Sequence, residues 1–154
     1  MDKSKIPVEQ RAALGLLMDD HRAVKKLFKQ FEATQATAEK RAIATETCQK
    51  LSVHAQIEEE IFYPALRDVS EKLDDMLDEA KVEHGVAKAL IAKIEAGETD
   101  MLDANYKVLT EYVGHHVEEE ESELFPAVIK AKIDLRDVAA QLEARKAELL
   151  GEPA

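Results

Sequence analysis

Val53-His54-Ala55-Gln56-Ile57-Glu58-Glu59-Glu60-Ile61-Phe62-Tyr63-Pro64 returns 62 residues later as His115-His116-Val117-Glu118-Glu119-Glu120-Glu121-Ser122-Glu123-Leu124-Phe125-Pro126. Histidine falls on histidine, Glu58 on Glu120, Glu59 on Glu121 and Pro64 on Pro126. An earlier pair of stretches repeats as well. Asp20-His21-Arg22-Ala23-Val24-Lys25-Lys26-Leu27 resembles Glu83-His84-Gly85-Val86-Ala87-Lys88-Ala89-Leu90 at a shift of 63. Apolar residues recur at helical spacing around all four stretches. One helical hairpin is therefore used twice. Two such hairpins predict an all-α fold: an up-down-up-down four-helix bundle with a pseudo-two-fold axis.

Working outward, the periodicity predicts helices over about 7–31, 38–67, 71–95 and 100–130, then a short C-terminal helix over about 135–150. Pro7 suits a first helical turn, and Gly97 suits a C-terminal cap. Gly151 and Pro153 follow the last helix. Pro64 and Pro126 each remove a backbone donor, so each should weaken its helix one turn after the carboxylates. The fifth helix shows Leu135, Val138, Ala139, Leu142 and Leu149 on one side. That side packs on the bundle or on a partner chain, the second giving a homodimer through the C-terminal helix.

Composition agrees with one domain spanning 1–154. The chain is 45% hydrophobic and 34% charged, with only 5 glycines and 4 prolines, which suits a packed helical core rather than disorder. No stretch alternates as strands do. The net charge of −11 argues against nucleic acid and anionic membrane surfaces as partners. No apolar run is long enough to span a bilayer. Residues 1–8 lack the apolar centre of a signal peptide. With a single cysteine, Cys48, there is no internal disulfide framework. A reducing, cytoplasmic setting follows.

Four of the five histidines fall in the middle of apolar stripes, one per bundle helix: His21, His54, His84 and His116. Their apolar neighbours lie three, four or seven residues away, on the face that turns to the core. His115 shares its face with Glu111 and Glu119 and reads as peripheral. Glu58 follows His54 by four residues, and Glu120 follows His116 by four, so each pair shares a face one turn apart. Uncompensated carboxylates in a core are costly, and no lysine or arginine recurs at their depth. A lone core histidine is more often hydrogen-bonded than metal-bound, and a lone His-x-x-x-Glu arises easily by chance. Four helices in matched register are a different matter, and they point to cations. Four imidazoles and two carboxylates exceed one zinc's needs, while calcium and magnesium prefer all-oxygen shells. A pair of iron ions fits, with manganese as the alternative. Glu58 and Glu120 would bridge them, and each ion would take two histidines.

These motifs resemble the hemerythrin-like (HHE cation-binding) domains across about residues 10–130. They are His21 in Asp-Asp-His, His54-x-x-x-Glu58-Glu59 leading to Phe-Tyr-Pro, Glu83-His84, and His116-x-x-x-Glu120-Glu121 leading to Leu-Phe-Pro. The resemblance implies an oxo- or hydroxo-bridged di-iron centre. His21 and His54 would hold one iron, His84 and His116 the other. Oxygen-carrying members place a third histidine where this chain has Ala80. They also place the second bridging carboxylate where it has Glu121; the internal repeat favours Glu120. With Ala80 unable to ligate, both irons would have an open position, or water or Tyr112 would fill one. The ligand set is also similar to a domain of proteins that repair iron–sulfur centres, which carry an additional cysteine-bearing domain.

The resulting expectation is a non-haem di-iron protein that binds dioxygen or another small oxidant, peroxide or nitric oxide, as carrier, sensor or scavenger. The alternatives are a di-iron enzyme for peroxide, ferrous iron or nitric oxide and iron-centre repair chemistry, and a metal-free helical interaction module. Asp20, Glu59, Glu83 and Glu121 are candidates to orient the imidazoles, or else solvated acids. Phe62, Tyr63, Leu124 and Phe125 read as core packing, and Cys48 as a buried thiol.

Overall fold

A computed structural model describes residues 1–97 and 99–152. α1 is Val8–Ala33. α2 covers residues 37–66: Thr37–Ile57 is α-helical, Glu58–Phe62 forms a π turn, and Tyr63–Leu66 closes it. α3 is Glu71–Glu95. α4 covers residues 102–130 on the same plan, with Leu102–Glu119, a π turn at Glu120–Leu124, and Phe125–Lys130. α5 is Arg136–Leu150. Among the described residues there is no strand. α1 lies on α2, α3 on α4, α2 on α3 and α4 on α1, which closes the predicted bundle.

The helix ends follow local chemistry. α1 starts one residue after Pro7, whose carbonyl accepts from the Gln10 and Arg11 amides. The Ser70 hydroxyl caps α3 by accepting from the Leu73 amide at 3.1 Å. After α3, Gly97 takes φ +85°, a conformation that costs residues with a Cβ. Pro153 lies outside the described residues.

The prolines act earlier than expected. The disturbance falls on the carboxylate turn itself, not one turn beyond it. Pro64 cannot donate to the Glu60 carbonyl, and its ring would collide there in a regular helix. The helix widens instead, and the Tyr63 amide bonds five residues back to the Glu58 carbonyl. The Phe125 amide does the same to Glu120. Such π turns gather at functional sites.

The core is two apolar clusters. One holds Leu14, Leu17, Ile57, Phe62, Leu77, Phe125 and Leu142. The other holds Val24, Phe28, Cys48, Leu109, Val113 and Val117. On α1, α2 and α3 the site histidine lies between the stretches that feed the two; on α4 it lies at the end of the stretch that feeds the second, just before Val117. Of the two packing surfaces open to the fifth helix, α5 uses its own bundle: it lies on α1 and α2, with Leu135, Ala139 and Leu142 buried. Arg145 pairs with Glu60, and Lys146 with Asp20. No described helix is long and apolar enough to cross a membrane.

Candidate metal centre

All six predicted residues meet between the two apolar clusters. His21, His54, Glu58, His84 and Glu120 are buried, Glu58 completely; His116 is nearly so. The His21 and His54 rings lie 5.0 Å apart at 66°, the His84 and His116 rings 5.0 Å apart at 69°. One geometry is thus built twice.

The carboxylates span both pairs. Glu58 Oε1 is 3.2 Å from His54 Nε2 and 3.3 Å from His84 Nε2. Glu120 Oε1 is 3.3 Å from His21 Nε2, and its Oε2 is 3.4 Å from His116 Nε2. These approaches are close but poorly directed. Nε2 of His21, His54 and His116, both oxygens of Glu58 and Oε1 of Glu120 have no hydrogen-bond partner. Orphaned buried polar atoms are rare and costly. Two donors that share one cation, each about 2.0–2.2 Å from it, stand roughly 3.0–3.5 Å apart. The donor set therefore fits metal. Its ligand atoms sort into two groups, His21–His54–Glu120 and Glu58–His84–His116, each within 4.8 Å.

Every imidazole is held from behind. His54 Nδ1 donates to Asp20 at 2.8 Å, and His116 Nδ1 to Glu83 at 2.7 Å. His84 Nδ1 donates to Glu59 at 2.8 Å, and His21 Nδ1 to Glu121 at 2.7 Å. A carboxylate on Nδ1 fixes the tautomer that leaves Nε2 free as a ligand. All four candidate orienting acids act, two within a hairpin and two across hairpins.

Charge follows the same contacts. Burial pushes each imidazole toward its neutral form, but the facing carboxylates outweigh it. His54 sits well above its ordinary value, through Glu58 and Asp20, and His116 is raised to about 9 by Glu120. Burial would raise Glu120, yet its contacts with His116 and His21 hold it well below the usual range. The same carboxylates that favour a proton on these imidazoles would favour a cation. A cation and protons would compete for the same nitrogens.

Beside the four histidine rings lies a cavity of about 40 Å³ lined mostly by apolar side chains, among them Val24, Leu51, Ile91 and Val113, with Asp20, Ser52 and Lys88 also on its wall.

By sequence, the chain matches the hemerythrin HHE cation-binding domain over residues 12–128. The chain belongs to the hemerythrin HHE cation-binding domain family. No curated protein matches it. Its fold is similar to the crystal structure of a hemerythrin HHE cation-binding domain-containing protein from Mycobacterium kansasii. The TM-score is 0.75 at 22% identity, covering 89% of this chain and 86% of the other.

In this HHE domain the tyrosine at the centre is Tyr63, read from the sequence as packing, rather than Tyr112. Its hydroxyl donates to Glu120 Oε2 at 2.7 Å and lies 3.3 Å from His84 Nε2. Burial, with Glu120 and Glu58 beside it, holds the phenol well above its usual range and keeps it protonated. In a regular helix, five residues after Glu58 is about 140° around the axis; the π turn brings Tyr63 back beneath it. Proline at 64 was the available signal. Glu121 stands behind His21, while Glu120 faces the centre. Ala80 is buried and lines a second opening, toward His116 and Glu120.

Proposed function

We propose that this HHE domain holds two iron ions, one on His21 and His54, the other on His84 and His116, bridged by Glu58 and Glu120. The centre binds dioxygen or a related small oxidant, peroxide or nitric oxide, as carrier, sensor or scavenger. One observation carries the reading: Nε2 of His21, His54 and His116, both oxygens of Glu58 and one oxygen of Glu120 converge while buried and without hydrogen-bond partners. A mixed nitrogen and oxygen set of this size suits a pair of iron ions, with manganese as the alternative.

Iron in such a set supplies reversible electron exchange with small oxygen and nitrogen species. The chain's own residues do the rest. The mostly apolar cavity over the histidines, with Asp20, Ser52 and Lys88 also on its wall, suits small uncharged molecules better than ions. The four outer carboxylates hold the rings in register. Tyr63 keeps a proton at its hydroxyl, 2.7 Å from Glu120 Oε2.

Metal analysis and a visible spectrum, taken before and after air, test this. The purified chain is expected to carry two irons and a ligand-to-metal charge-transfer band, both lost in His54→Ala. Unaltered iron content in that variant refutes the assignment.

A second reading, an enzyme at the same centre, is favoured by the phenol proton of Tyr63 and the second opening beside Ala80. Turnover of peroxide, ferrous iron or nitric oxide by the iron-loaded chain would support it; reversible oxygen binding with none of these consumed would end it. The metal-free interaction module would require a chain equally stable with and without iron, because a bound ion stabilises through linkage.

A further inference from the structure

Two of the four outer carboxylates hold a lysine, and two do not. Behind His54, Asp20 accepts from the ring through one oxygen and from Lys146 Nζ, at 2.5 Å, through the other. Behind His84, Glu59 accepts from the ring through one oxygen and from Lys88 Nζ, at 2.6 Å, through the other. Among the described residues, no lysine or arginine stands within 4.0 Å of Glu121, behind His21, or of Glu83, behind His116.

Duplication does not account for this pattern. Lys88 matches Lys25 of α1 at a shift of 63, yet Lys25 makes no such contact with Glu121. Lys146 comes from α5, which has no counterpart. Two unrelated elements thus reach one arrangement, in which lysine, carboxylate and imidazole follow one another toward the centre. The pattern is also ordered. Both lysine-backed rings face Glu58, at 3.2 and 3.3 Å, and the other two face Glu120. Of the two groups of ligand atoms, His21–His54–Glu120 and Glu58–His84–His116, each therefore holds one ring of each kind.

A carboxylate on Nδ1 makes an imidazole a stronger donor at Nε2. A lysine on that carboxylate draws its charge away from the ring, so the ring donates less. Weaker donation disfavours the more highly charged state of a bound metal. We propose that Lys88 and Lys146 are positioning residues that act through Glu59 and Asp20 to weaken donation by His84 and His54, and so raise the reduction potential of a bound iron pair. This rests on the iron reading above. The Lys146 side chain is 33% exposed and that of Lys88 53%, so solvent and salt screen Lys88 more.

The test is a spectroelectrochemical titration of the iron-loaded full-length chain, with iron content measured first. Lys88→Met and Lys146→Met are expected to keep two irons and to lower the midpoint potential. At a fixed poise the oxidised-to-reduced ratio rises by up to roughly tenfold, about 59 mV for one electron. Lys146→Met gives the larger shift, and high salt erases more of the Lys88 contribution. Lys88→Arg and Lys146→Arg restore the wild-type value. Lys25→Met is the control: it removes the same charge, which reaches Glu121 without a contact, and should shift the potential less than either. A potential unchanged in a methionine variant, no rescue by arginine, an equal fall in the control, or lost iron in the variants overturns the assignment while leaving the centre standing. A wild-type chain that takes up no iron overturns the centre, and the lysine assignment with it.

Discussion

Hairpin one, α1 with α2, and hairpin two, α3 with α4, build the same pair of imidazoles at the same separation and nearly the same angle. Their surroundings differ. Asp20, behind His54, is buried and also takes Lys146 of α5. Glu83, behind His116, lines an acidic cleft. Phe125 stacks near His21 at 6.2 Å, whereas its counterpart Tyr63 meets His84 at 5.5 Å and donates to Glu120. Duplication preserved what one helix enforces, the four-residue step and the proline-induced π turn. It did not preserve what a neighbouring element supplies. The chain has one α5, and that helix covers one hairpin.

The largest expected effect tests the symmetry itself. Each carboxylate touches one histidine of each pair, so Glu58→Ala and Glu120→Ala should each empty both ion positions, weakening metal binding more than ~100-fold. If metal analysis finds one ion left in either variant, the carboxylates do not bridge, and the halves act separately.

The orienting acids come next. Asp20→Ala and Glu83→Ala should each lower metal affinity by roughly 10–100-fold. Asp20 stands toward the upper end, because its loss also strands Lys146. Competition titration with a chelator gives both values; equal losses would mean that the α5 cover contributes nothing.

Tyr63→Phe makes the halves alike. It removes a buried donor from Glu120, and urea unfolding of the metal-free chain should lose about 1–2 kcal/mol. A variant as stable as wild type would make the phenol dispensable for the fold.

The smallest effect concerns Cys48, whose counterpart in the second hairpin is Thr110. Burial, then the charge of Glu95, pushes its thiol up to about 12. A raised thiol value means less thiolate, about 10⁻⁴ of the total at pH 8. A maleimide should therefore label the native chain negligibly and the unfolded chain fully. Ready native labelling would show that hairpin one opens at this end.

Much of this was legible in the order of residues. Helical spacing marked the helices, the repeat marked the topology, and histidine on four apolar stripes marked the six residues that meet. Tyr63 packs in the core as read, but its hydroxyl's place at the centre was missed, and the position of the proline effect was misread. Both arose because a π turn changes which residues share a face, and a 3.6-residue wheel does not contain it. The orienting acids were identified without their partners, since a periodicity assigns a face within one helix but not the residue opposite on another.

What the sequence determined alone was therefore whatever depends on contacts a few residues apart: helices, their apolar faces, and a carboxylate one turn from each of two histidines. Tertiary structure decided which carboxylate stands behind which ring, which hairpin α5 covers, and that one opening is mostly apolar and the other acidic. Those are relations between helices far apart along the chain, and only packing brings them together.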